Sequence, residues 1–222
     1  MDARHTLDFI AALTANNNRE WFNSHKDEYV EVKKWIEDLT ARWIAAAADI
    51  DPLLGRLTPK DCMYRIYRDI RFSPNKQPYK DWIGIILAPN GGRKSQNGCY
   101  YLHFQPGNCM FAGGVWCPEP ELVKALRQDI FDNAEELEQI FSRPEVHKYF
   151  PSFDDDGVLK KIPAPYPKDF VHPDWIARKS FTFSIGISDD DMCGSTFFNE
   201  LIAMCRAAKP LNDFLDYTVN NL

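Results

Sequence analysis

The chain has 222 residues, of which 45% are hydrophobic and 26% charged, a composition typical of a folded globular protein and far from that of a disordered chain. Its formal net charge of −6 argues against a general nucleic-acid binder, because such proteins are usually basic. No apolar run approaches the ~18 residues that cross a bilayer, so the sequence predicts no membrane span.

Six cysteines are scattered along the chain, without a C-x-x-C pair and without a histidine at zinc-ligand spacing. The first residues lead into no apolar run of the kind found in a secretory signal. These features predict a cytoplasmic protein with reduced thiols, no disulfide, no bound metal and no cofactor.

Two helices are predicted in the N-terminal part. Apolar residues recur at near-helical spacing over residues 6–16 and predict a short helix. Asn18 is suited to cap a second, longer helix over residues 19–50, whose apolar stripe continues until Pro52 ends it. This long helix is predicted to cover one face of a sheet.

The middle of the chain is predicted to form strands. Residues 62–115 are rich in aromatic and β-branched residues and are interrupted by Gly, Pro and Asn, which predicts a run of strands. The connections between them are short, which favours antiparallel neighbours. The predicted strands span residues 62–69, 82–87, 99–104 and 109–115.

The C-terminal half begins with a second helical block that Pro118 opens. Residues 151–174 are predicted to be a loop, because four prolines lie close together there. The remaining chain is predicted to hold one strand and then two helices parted by Pro210, over residues 181–187, 195–208 and 211–221.

Segregated runs of helices and strands indicate an α+β fold, in a single domain spanning residues 1–222. The sheet is predicted to be mainly antiparallel, with about five strands drawn from residues 62–115 and 181–187. The long N-terminal helix and the C-terminal helices are predicted to cover it.

Residues 64–80 form the segment with the densest charge. Asp69 is its only acid, whereas five of its residues are cations: Arg65, Arg68, Arg71, Lys76 and Lys80. Arginine binds carboxylate or phosphate through paired hydrogen bonds, and lysine adds a mobile charge. We interpret the segment as an anion-binding site. At least three of the cations are predicted to point into one cleft, with Tyr79 at its wall.

A regular strand would work against such a site. Side chains alternate between the two faces of a strand, so Arg65 and Arg68 would point to opposite sides. Both reach one site only if a bulge or the strand end re-aims one of them. The alternative interpretation is a strand edge blunted by charge, in which Asp69 holds Arg68 or Arg71 in a structural ion pair.

The same segment resembles the signature of a bacterial and fungal family catalogued as domain of unknown function 2461. The matching residues in the segment are Arg68, Asp69, Arg71, Phe72, Lys76, Tyr79 and Lys80. Further matches extend over nearly the whole chain and include Asn18, Trp21, Phe22, Gly113, Gly114, Trp116, Leu126, Arg127, Arg178, Phe181 and Pro210. The resemblance implies one full-length domain and adds Arg127 to the candidate ligand-binding residues. It brings no activity with it.

Three classes of function stay open from the sequence. We favour a small-molecule enzyme or ligand-binding protein that takes a phosphate- or carboxylate-bearing ligand. The second class is a nucleic-acid-associated protein that uses the segment as a phosphate track, extended by the loop at Arg93-Lys94 and the pair Arg178-Lys179. The third is an interaction module in which the cations form a structural ion-pair network. No motif indicates a particular reaction or an oligomeric state.

Overall fold

The computed structural model describes residues 1–155 and 157–222. Four strands form one antiparallel sheet in the order β1-β2-β3-β4, which confirms the α+β class and the antiparallel pairing. They are β1 (Ile83–Leu87), β2 (Cys99–Phe104), β3 (Cys109–Val115) and β4 (Phe181–Ile187). The last three have the bounds that the sequence predicts.

Helices flank the sheet in sequence and in space. Those before it are α1 (Ala3–Ala15), α2 (Arg19–Ser24), α3 (Lys26–Ala47) and α4 (Pro59–Cys62). Those after β3 are α5 (Pro120–Asp132), α6 (Ala134–Phe141), α7 (Pro144–His147), α8 (Pro173–Ile176), α9 (Asp189–Cys193) and α10 (Phe197–Asn221). Short 3-10 turns cover Pro52–Arg56 and Gly92–Lys94.

The helices cover one face of the sheet and build the core there. The inward side chains Phe104, Phe111 and Phe183 are fully buried. From α3, Trp43 packs on Phe111, and α10 lies against β3. Burying large aromatic groups between a sheet and two long helices gives the fold most of its apolar stabilisation.

The predicted helix over residues 19–50 is two helices. The chain breaks at His25, because the Ser24 hydroxyl donates to the Trp21 carbonyl and the His25 ring also bonds that oxygen. Side chains that bond nearby backbone groups compete with helix continuation. The longer piece, α3, still packs beneath the sheet as predicted.

The two predicted C-terminal helices are one helix. Pro210 lies inside α10, where it lacks the N–H that a helix interior uses. Residues on both sides of it, Ala207 and Leu211 among them, are buried. Packing on the sheet and on α5 keeps the helix continuous at the loss of one hydrogen bond.

The predicted strand over residues 62–69 is wrong. Cys62 ends α4, and beyond it only two isolated bridges form, Met63 with Ile85 and Tyr67 with Tyr79. The sheet therefore has four strands rather than five. The pairing is interrupted between the two bridges, and that interruption shapes the candidate site.

Candidate functional site

A bulge lies at the edge of the sheet, where residues 63–68 run antiparallel to residues 78–85. The Tyr64 amide donates to the Gly84 carbonyl at 3.0 Å, whereas the Lys80 amide donates to the Ile66 carbonyl at 2.8 Å. Between these two bonds, Arg65 alone faces residues 81–83 of the other chain segment. A bulge bends the strand that carries the extra residues, here residues 81–83, and re-aims its side chains. The segment with Arg65 and Arg68 itself bends at Ile66, between the two arginines.

The bulge opens a cavity of about 420 Å³ at this edge. Its lining combines three cations, two carboxylates and two aromatic rings: Arg65, Arg68, Lys80, Asp69, Asp81, Tyr67 and Trp82. The volume lies in the range of small-molecule sites, about 300–1,000 Å³. We call these seven residues the cationic cavity.

The three cations of the cationic cavity make no salt bridge within 4.0 Å among the described residues. Asp69 forms its ion pair with Arg71 instead, which donates to both carboxylate oxygens, at 3.0 and 2.7 Å. This bidentate pair holds the pKa of Asp69 below its usual value. The lining is left with more positive than negative charge, which suits an anion.

Lys80 has the most unusual surroundings of the three. Its ammonium lies 4.3 Å from the centre of the Trp82 ring and 5.0 Å from that of Tyr64. Burial, followed by the charges of Arg65 and Arg93, lowers the pKa of Lys80 to about 8. The rings oppose this by favouring the ammonium, but a partly exposed cation–π contact contributes only about 0.5–1 kcal/mol, less than one pKa unit.

A hydrogen-bonded chain reaches the cavity from the outer face of the sheet. The Tyr101 hydroxyl lies 2.7 Å from His103 Nδ1, and His103 Nε2 lies 3.1 Å from Gln105 Oε1. Gln105 Nε2 donates to Asp81 at 3.3 Å. Burial raises the pKa of Tyr101 and lowers that of His103, so the hydroxyl donates to a neutral ring whose Nε2–H donates onward. The chain thereby orients the Asp81 carboxylate.

Asp81, Trp82 and His103 are site residues that sequence reasoning misses. Asp81 and Trp82 directly follow the charged segment, lie in the bulged stretch opposite Arg65 and line the same cavity. His103 gives one signal in the sequence, its alternation with Leu102 and Phe104, which puts it on the outer face of β2. Gly84 completes this face, because a Cβ there would lie only 2.8 Å from the Tyr101 hydroxyl and 2.9 Å from the Trp82 ring.

Tyr79 does not line the cationic cavity. It is 4% exposed and stacks on Phe22, with ring centres 4.1 Å apart. Asn17 bonds both its amide and its carbonyl at 3.1 Å. Tyr79 therefore anchors the second chain segment to the start of α2, and Tyr67 and Trp82 are the aromatic lining residues instead.

The other two cations of the segment lie outside the cavity lining. Arg71 is committed to Asp69, and the Lys76 ammonium donates to the Ile70 carbonyl at 3.0 Å. Both side chains are exposed. The structure thus brings together Arg65, Arg68 and Lys80 and leaves Arg71 and Lys76 on the adjoining loop.

Arg127 belongs to a different part of the molecule. It projects from α5, and its Nε and Nη2 atoms donate to the Arg178 carbonyl at 3.2 and 2.5 Å. Arg178, just before β4, is 3% exposed, lies over the Phe153 ring and contacts Asp155 at 3.4 Å. Neither arginine lines the cationic cavity, and the buried Arg178 is closed to a surface phosphate track.

The structure also bears on the thiols, on metal binding and on membrane spans. All six cysteines are free thiols. Among residues 1–155 and 157–222, no group of three or more His, Cys, Asp or Glu side chains is placed to hold a metal ion. Within the same residues, none of the helices combines the length and apolarity needed to cross a membrane.

A family model described as "Conserved hypothetical protein (DUF2461)" matches residues 5–214, nearly the full chain. The match spans both the cationic cavity and the Arg127–Arg178 pair. No curated protein and no solved structure matches the chain.

Proposed function

The chain belongs to DUF2461, a family of conserved hypothetical proteins, and for this member we propose that the cationic cavity binds a small anionic ligand bearing a phosphate or carboxylate group. The observation that carries the proposal is the convergence of Arg65, Arg68 and Lys80 on one cavity without salt-bridging carboxylates among the described residues. Asp69, Arg71, Lys76, Tyr79 and Arg127, also predicted as ligand-binding, take supporting or separate roles.

Electrostatics favours an occupant of this kind. Three cations that share a cavity repel one another, and the repulsion is larger where water is partly excluded. A bound anion removes that cost and gains charge-assisted hydrogen bonds from the two guanidinium groups. Trp82 and Tyr67 add flat apolar surface for the rest of a small ligand.

Size and charge favour a small molecule over a nucleic acid. A phosphate track needs further exposed cations along the surface. Arg93 of the predicted extension Arg93-Lys94 donates to the Lys60 and Asp61 carbonyls at 2.7 and 3.1 Å, and Arg178 of the extension Arg178-Lys179 is buried. Each extension therefore contributes one exposed lysine, Lys94 or Lys179, in place of a pair of cations. The cavity, at about 420 Å³, has the size of a small-molecule site. We also propose a cytoplasmic location, which the six free thiols support.

Thermal unfolding tests the proposal. Inorganic phosphate at about 100 times its dissociation constant should stabilise the native state by about 2.7 kcal/mol. For a chain of this length the melting temperature then rises by about 5–10 °C. A second arm with malonate tests the carboxylate class. Potassium chloride at matched ionic strength serves as the control, because salt alone screens charge repulsion.

Two variants make the test specific. Arg68→Ala should abolish the shift with phosphate, because it removes one of the two cavity guanidinium groups. Lys76→Ala is the matched control: it deletes a cation from the same segment outside the cavity lining and should keep the shift. The proposal fails if phosphate and malonate do no more than chloride. It also fails if a single-stranded oligonucleotide stabilises the protein where both small anions do not.

A further inference from the structure

The cationic cavity contains a lysine that is not committed to any carboxylate. Lys80 Nζ lies over the faces of Trp82 and Tyr64, is half-buried, and has no acidic oxygen within 4.0 Å among the described residues. Arg65 lines the same cavity. Half-burial beside neighbouring cations disfavours the charged form of this amine, and the opposing effect of the two rings is smaller.

We propose that Lys80 is a nucleophilic amine that forms an imine with a small carbonyl compound carrying an anionic group, such as a 2-oxo acid. The inference rests on the proposed anion site, since Arg65 and Arg68 would hold the anionic group while the carbonyl carbon meets Lys80. Both guanidinium groups and the amine line one cavity of about 420 Å³, enough for a ligand of this size.

The reaction is balanced within the cavity. The neutral amine adds to the carbonyl carbon, so a C–N bond forms and the carbonyl π bond breaks. Asp81 takes one proton from the nitrogen and returns it to the oxygen, which gives a neutral carbinolamine. Asp81 then passes a second proton, taken from solvent, to the hydroxyl. The C–O bond breaks, one water leaves, and a protonated imine remains. Asp81 follows Lys80 in the chain, lines the same cavity and is oriented by the bond from Gln105.

The expected reactivity follows from the state of the amine. With the pKa of Lys80 at about 8, it holds far more neutral amine at pH 7.5 than an exposed lysine. The excess is about 200-fold, and lower basicity reduces the reactivity of each neutral amine by about tenfold if amines follow the dependence known for thiols. We therefore expect Lys80 to react at least about tenfold faster than the exposed Lys76.

The experiment traps the imine on the unmodified protein. The protein is incubated at pH 7.5 with glyoxylate, the smallest anionic aldehyde, and with sodium cyanoborohydride, which reduces an imine to a stable secondary amine. Peptide mapping by mass spectrometry then gives the label at each lysine. Acetaldehyde, which is neutral, is the parallel probe, and inorganic phosphate is the competitor.

Glyoxylate should label Lys80 first, phosphate should suppress that label, and Arg68→Ala should reduce the glyoxylate label while leaving the acetaldehyde label unchanged. The inference is overturned if Lys80 reacts no faster than Lys76 with either aldehyde. If phosphate still raises the melting temperature in that case, the anion site stands and only the nucleophile fails. If Lys80 reacts no faster than Lys76 with either aldehyde and phosphate does not raise the melting temperature, both proposals fail.

Discussion

Two regions of this protein contain cationic side chains in opposite surroundings. In the cationic cavity, Arg65, Arg68 and Lys80 share a cavity with carboxylates that form no salt bridge to them among the described residues. Near β4, Arg127 donates to a backbone carbonyl. Arg178 is buried over an aromatic ring beside Asp155, and its Nε and Nη1 atoms have no hydrogen-bond partner among the described residues.

The difference shows what separates a structural cation from an available one. Burial against apolar groups with a fixed protein partner makes the side chain part of the packing, so its loss should appear in stability. A cation that faces a cavity without a partner contributes little to packing, so its loss should appear in binding.

The largest expected effect is on stability, at Arg178. Arg178→Ala should lower the free energy of unfolding by about 2–4 kcal/mol, because it empties a fully packed site. Arg178→Met should lower it by clearly less, since it keeps most of the volume and the exposed Asp155 is left with access to water. Urea denaturation measures both. A loss for Arg178→Ala no larger than that for Arg68→Ala would erase the distinction between the regions.

Arg127→Met should have the second largest effect, a loss of about 1–2 kcal/mol in the free energy of unfolding, because the Arg178 carbonyl loses two bonds from a charged donor. The stabilisation by phosphate should be unchanged, since Arg127 does not line the cationic cavity. Denaturation with and without phosphate separates the two readouts. A lost phosphate effect would return Arg127 to the anion site.

Lys80 gives a pH-dependent prediction. Its pKa is lowered to about 8 in the folded state, below the unfolded value of about 10.4. Between these values the unfolded chain binds more protons, so this group makes stability rise with pH across that window. Lys80→Met should therefore be more stable than the parent protein at pH 7, and the advantage should shrink as pH approaches about 10.

Thermal unfolding at a series of pH values measures that difference, and Lys76→Met is its control. Lys76 is exposed and lies outside the cavity lining. Its replacement should leave the pH dependence of stability unchanged. An advantage of Lys80→Met that is constant from pH 7 to about 10 would show that the ammonium is not destabilised in the fold.

The smallest expected effect is at Asp69. Asp69→Asn removes a carboxylate from the cavity wall and releases Arg71, so phosphate should bind about threefold more tightly, as expected for one exposed charge a few ångströms away. Titration calorimetry at low salt measures the change, which should fade as salt is added. Weaker binding would mean that Asp69 itself positions the ligand.

Much of the fold follows from local pattern. Residues 99–104, 109–115 and 181–187 alternate or cluster large apolar side chains between turn residues, and they pair in sequence order. Residues 62–69 are also rich in aromatic and apolar residues, although three of them are charged, yet they form no strand. Their partner segment carries two extra residues, so the backbone bonds on either side fall out of register. Composition reports strand preference but not the register of the partner.

The candidate site, like the fold, can be predicted only in part from the sequence. The charge density of residues 64–80 is visible in the sequence, and so is the question of whether Arg65 and Arg68 can face one side. Tyr79 is predicted from the sequence to line the cleft. In the structure it is hydrogen-bonded to Asn17 and stacked on Phe22, so it anchors its segment instead. These contacts join residues far apart in the chain, which no local pattern encodes.

By itself, therefore, the sequence determined the α+β class, the four strands of the sheet, the family and the segment that holds the cations, because each depends on local side-chain chemistry or on recurring residues. Only the tertiary structure decided which cations meet. Arg65, Arg68 and Lys80 line one cavity beside the bulge, an ion pair with Asp69 takes Arg71 out, and burial removes Arg178 from the surface. Register and burial are properties of the packed chain, because both are fixed by contacts between segments distant in sequence.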